Sequence, residues 1–168
     1  MATPKMDSDL LPAVLADSAL TRVLPLPDLM FGGSVLLFVI LFHAFWIRVI
    51  SGSFLKRSTQ VQTHASLWRA DLLFTLMVMG LLALHVAEVL VWMMALLFGG
   101  IVADWSAAVY FAANCYTALG EPFSLAPSWR ILPPIIAISG IFSFAWTASV
   151  LVNFFSRYND LRTQILAR

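Results

Sequence analysis

The chain has 168 residues, of which 61% are hydrophobic and 11% charged, against about 25% charged in an ordinary soluble domain. With a mean hydropathy of +0.88, this is the composition of a membrane protein. A net charge of +1 gives no electrostatic basis for binding nucleic acid, and the single cysteine, Cys115, excludes an intramolecular disulfide and a cysteine metal motif.

Residues 1–28 are expected to lie outside the cytoplasm. They mix charges and lack the basic-then-apolar pattern of a cleavable signal peptide. Within them, 7–26 is the length of a short amphipathic helix on the membrane surface, limited by Pro12 and Pro25. About 20 apolar residues cross a bilayer, and three stretches qualify. The first runs from Leu29 to Trp46, inside a segment 29–50. The second runs from Leu72 to Leu97 and the third from Ile131 to Phe155.

Segment 51–71 is predicted to be a basic loop. Residues 47–71 carry Arg48, Lys56, Arg57 and Arg69, and the tail 156–168 carries Arg157, Arg162 and Arg168. The excess of positive charge places both in the cytoplasm of a multi-pass inner-membrane protein. The N-terminus and loop 98–130 are then outside. Asp28, Trp129 and Pro133-Pro134 suit that outer boundary. The short tail leads to the expectation that no ligand-binding domain in this stretch gates the protein.

Gly99-Gly100 is suited to end the second helix, and Asp104 to cap the next. Residues 105–116 make about three helical turns, half of what a span needs. Polar backbone persists at membrane depth only where protein buries it or water meets it. A half-helix followed by a glycine-containing loop is the layout of a re-entrant pore loop. The predicted fold is therefore all-α, with three transmembrane helices and a pore half-helix and filter-like loop between the second and third. Segment 72–155 is the pore domain.

Tyr116-Thr117-Ala118-Leu119-Gly120, followed by Leu125-x-Pro127-x-Trp129-Arg130 and a helix with Gly140 near its middle, resembles the small bacterial pore-loop channels of the potassium-channel superfamily. His85 and Glu88 match a His-x-x-Glu often found in that family's outer helix. The resemblance covers about residues 70–155. It implies a homotetramer in the lipid bilayer, with Thr117, Ala118, Leu119, Gly120 and Glu121 as the selectivity loop for monovalent or divalent cations. The filter departs from the family's pattern. Ala118 stands in place of a Thr, Glu121 and Pro122 stand in place of the Tyr and second Gly, and one residue is missing before Leu125. Proline's fixed φ excludes the backbone a second Gly would allow. Loose or absent potassium selectivity is the expectation. Four copies of Glu121 would form an acidic ring favouring cations; the plainer alternative is a side chain that simply meets water at the loop tip.

His85 and Glu88 sit one turn apart on one helix face and are expected to brace the half-helix from within the membrane. His43 is a third intramembrane candidate. Measured from the predicted helix ends, it differs from His85 in depth by on the order of 10 Å, which argues against a haem held between the two. Ser139, Ser143, Thr147 and Asn153 recur at roughly helical spacing and either line an inner pore, with Gly140 as a hinge, or pack helices together. No cofactor is expected, and no nucleophile–base pair or metal set suggests an enzyme. The leading expectation is a pore-loop cation channel; the alternative is a non-conducting channel-like subunit or anchor for a partner protein.

Overall fold

A computed structural model describes residues 26–63 and 66–167. All but the last residue of the surface helix expected over 7–26 therefore lies outside the described residues. Among the described residues four α-helices form: α1 (Leu26–Thr63), α2 (Leu67–Phe98), α3 (Trp105–Tyr116) and α4 (Leu132–Leu166), with a 3-10 turn at Pro127–Trp129. Among the described residues no strand occurs. Helices α1, α2 and α4 are long and apolar enough to cross a membrane. The protein is all-α, with three candidate spans.

The helices run further than apolarity alone suggests. The 38 residues of α1 extend about 57 Å, nearly twice the roughly 30 Å hydrocarbon thickness. The predicted basic loop 51–71 is thus mostly helix: α1 continues to Thr63 and α2 restarts at Leu67. The cause lies in residues 51–63, which contain no proline and carry apolar side chains that find partners. Phe54 is buried, edge-on to Phe154 with ring centroids 4.9 Å apart. The tail 156–168 is likewise helical as far as Leu166. It packs on the start of α2 through Ala70, Leu161 and Ile165. Tyr158 stacks on Phe74 at 4.6 Å and donates a hydrogen bond of 2.6 Å to Asp71. Arg162 donates to the Tyr158 oxygen at 3.1 Å. A three-helix core therefore continues past the apolar zone.

At the other end, α2 closes with a Schellman turn. Gly100 (φ +64°) occupies the left-handed position, Ile101 N–H reaches the Leu96 carbonyl and Gly100 N–H that of Leu97, both at 3.0 Å. Asp104 caps α3, accepting from Ala107 N–H at 2.7 Å. Helix α3 then packs on α2 and α4 around Trp92, Leu96, Phe111, Leu132 and Ile136. The start of α4 is tied to α1: buried Asp28 accepts from Ile131 N–H at 2.9 Å, and Phe31 meets Trp129 edge-to-face at 5.4 Å.

Candidate functional site

Four polar side chains from three helices meet in the apolar interior. Glu88, fully buried on α2, takes His43 of α1 on one oxygen (Nδ1 to Oε1, 2.5 Å) and the Tyr116 hydroxyl of α3 on the other. His85 Nδ1 lies 2.9 Å from that same hydroxyl. Because Tyr116 gives its proton to Glu88, its oxygen must accept from His85 Nδ1–H. The unprotonated Nε2 of His85 is then the atom left without a partner, a smaller cost than an orphaned N–H. Its ring stacks on Phe144 at 4.3 Å. Thr147 of α4 approaches the far nitrogen of His43 at 3.4 Å. An isolated carboxylate is prohibitively costly in such surroundings. Glu88 offsets that cost by taking a hydrogen-bond partner on each of its two oxygens.

His43 and His85 stand level, with ring centroids 5.7 Å apart, which overturns the expected 10 Å difference in depth. The expectation took the first helix to end near residue 50. In the folded chain the turn between α1 and α2 comes after Thr63, so the two histidines lie about twenty and eighteen residues from it on antiparallel helices. Sequence reading named Glu88 and His85 but gave His43 no role. The signal available was an ionisable residue facing inward on an adjacent span, and only the misplaced helix end concealed it. His43, His85 and Glu88 offer ligand atoms within 4.8 Å of one another. The Nδ1 atoms and both carboxylate oxygens already take part in the hydrogen-bond network, so the geometry is that of a polar clasp with only His85 Nε2 left over.

The clasp holds the end of α3. Tyr116 is its last residue, and the Tyr116 carbonyl lies so close to Gly140 that a Cβ there would sit 1.8 Å from the oxygen. Glycine at 140 lets α4 receive the tip of α3. Helix α4 is unbroken at this point, and the close approach by itself accounts for the glycine. Loop residues Thr117, Ala118, Leu119, Gly120 and Glu121 are all exposed, Leu119 by 80%. The first of them close α3 as a second Schellman turn: Leu119 N–H reaches the Asn114 carbonyl at 2.9 Å and Ala118 N–H that of Cys115 at 3.0 Å. The left-handed position falls on Ala118 (φ +58°), where a non-glycine residue costs roughly 1–2 kcal/mol. Gly120 follows at φ +108°. Glu121 and Arg130 line one groove of about 340 Å³ beside Pro133 and Pro134.

Ser139, Ser143 and Thr147 do not form an exposed lining. Ser139 and Ser143 are fully buried and Thr147 is half-buried. Ser139 accepts from Trp92 Nε1–H at 2.8 Å and donates to the Ile136 carbonyl at 2.7 Å. Trp92 of α2 and His43 of α1 offer polar partners to Ser139 and Thr147 on that side, whereas the buried Ser143 hydroxyl has none on those two helices. No known protein family, curated protein or solved structure matches the chain.

Proposed function

We propose that the chain is the subunit of a homotetrameric pore-loop cation channel of the inner membrane, with α3 as a re-entrant half-helix and 117–121 as its mouth. The observation that carries this reading is the depth of the α3 tip. Tyr116 meets Glu88, about ten residues from the end of α2, and Gly140, about eight from the start of α4. At 1.5 Å per residue its tip sits about 12–15 Å in from the helix ends. An exposed polar backbone turn at that depth is untenable in lipid and needs either water or further copies of the chain around it. Four chains around one axis supply both. The excess of basic residues in 47–71 supports an external N-terminus and a cytoplasmic C-terminus.

The loop conformation also supports loss of potassium selectivity. The left-handed turn at Ala118 folds the start of 117–121 onto the end of α3, where a potassium filter needs the carbonyls of its loop stacked in rings along an axis. With the serines turned inward, the α4 stripe left to face an axis is Ile138, Phe142, Ala145, Ser149 and Val152, all exposed. Such an apolar passage gates by excluding water. Protein reconstituted in planar bilayers should conduct with little discrimination between potassium and sodium, and Glu121→Gln should weaken the preference for cations over anions. Strong potassium selection would refute the reading. Pro122, which bars the usual upper filter, favours the second reading of a non-conducting subunit. Folded tetramer without current at any voltage would establish that alternative.

A further inference from the structure

The seam between α1 and α2 is not closed on its outer side. Three hollows of about 410, 170 and 310 Å³ follow one another along it. The first two share Arg57, Leu73 and Leu76; the second and third share Ile50 and Gly80. They therefore form one trough that runs from Arg57 and Arg69 at its mouth to Ala87 at its far end. Its apolar floor along α2, from residue 72 to 87, is about 22 Å long, longer than the roughly 15 Å of one lipid leaflet. Gly80 keeps it open. A Cβ there would touch Ile50 only at an ordinary 3.7 Å, so close helix approach does not demand the glycine, and a larger side chain would fill the trough.

The mouth is cationic. Neither Arg57 nor Arg69 forms a salt bridge among the described residues, and Asp71 nearby is engaged by Tyr158 and Arg162. Exposed Trp68, under the Arg69 guanidinium at 5.6 Å, is the residue type that settles at headgroup level. We infer that this trough is a specific site for an anionic phospholipid, its phosphate on Arg57 and Arg69 and one acyl chain lying along Leu76 to Ala87. The two arginines supply the headgroup selectivity, and the missing side chain at Gly80 supplies the seat for the chain.

The test is native mass spectrometry of the full-length protein in detergent, titrated with phosphatidylglycerol or phosphatidylcholine. Each arginine near an anionic headgroup is worth about fivefold in affinity, so phosphatidylglycerol should be retained roughly 30-fold better. R57Q/R69Q should remove that preference, whereas K56Q/R157Q, two basic residues outside the trough, should keep it. Gly80→Leu should abolish retention of either lipid, and glycerol phosphate alone should not be held. Both arginines are exposed, so their replacement leaves the packing intact, and circular dichroism is the check on the fold of every variant. Should R57Q/R69Q nevertheless misfold, the wild-type comparison and Gly80→Leu decide. Equal retention of the two lipids, an unaltered preference in R57Q/R69Q, its loss in K56Q/R157Q, binding undiminished in Gly80→Leu, or capture of glycerol phosphate alone would each overturn the inference.

Discussion

Replacing Glu88 tests the polar clasp most directly. Glu88→Ala takes this partner from two buried polar atoms, the Tyr116 hydroxyl oxygen and His43 Nδ1. Each buried polar atom left without a partner costs about 1–3 kcal/mol, so the loss is about 2–6 kcal/mol before any void is counted. Glu88→Gln behaves differently. Its amide oxygen still accepts from Tyr116, and its NH2 donates to His43 Nδ1 once that ring takes the other tautomer, with Nε2–H turned toward Thr147. The cost should then be about 1 kcal/mol. For a chain of this length, 1 kcal/mol shifts the melting temperature by about 2–4 °C. Thermal unfolding in detergent should therefore place Glu88→Ala on the order of 10 °C below wild type and Glu88→Gln within a few degrees of it. Combining Glu88→Ala with Tyr116→Phe should cost less than the sum of the two, because they remove the same hydrogen bond. Equal stability of the Ala and Gln variants, or additivity in the double variant, would refute the clasp.

Gly140→Ala should push α4 off the tip of α3, since the new methyl meets the Tyr116 carbonyl at 1.8 Å. The expected loss is about 1–3 kcal/mol or more, with faster maleimide labelling of the now-buried Cys115 as the check on where the strain falls. Ala118→Gly should raise stability by about 1 kcal/mol, because glycine takes the left-handed position without the Cβ penalty; a lower melting temperature would contradict that backbone conformation. Ser139→Ala should cost about 1–3 kcal/mol by orphaning the Trp92 indole N–H, and adding Trp92→Phe should recover part of the hydrogen-bond loss in a double-mutant cycle.

The sequence by itself determines the class of fold, because its main signals are local. Long apolar runs make helices of membrane-crossing length, Gly99-Gly100 ends one of them, and Asp104 begins another through a cap that reaches only three residues ahead. The half-length of α3 is equally local, bounded by that cap and by the turn at Thr117. Where α1 ends is not local. Residues 51–63 read as a basic loop by composition, yet they stay helical because Phe54 and Val61 meet residues distant in sequence, Phe154 among them. That single displacement of a helix end decides the depth of every residue on α1, and so it decides whether His43 meets Glu88. The facing of α4 is decided the same way. Its hydroxyl stripe has a period compatible with either a pore or a helix interface, and only the partners on other helices, Trp92 for Ser139 and His43 for Thr147, turn it inward. Gly140 as well is a glycine for a reason supplied from elsewhere in the chain, since the atom that forbids a side chain there is the Tyr116 carbonyl at the tip of α3. Spacing along one helix records which residues share a face; which neighbour that face meets is set by contacts between helices, and those exist only once the chain has packed.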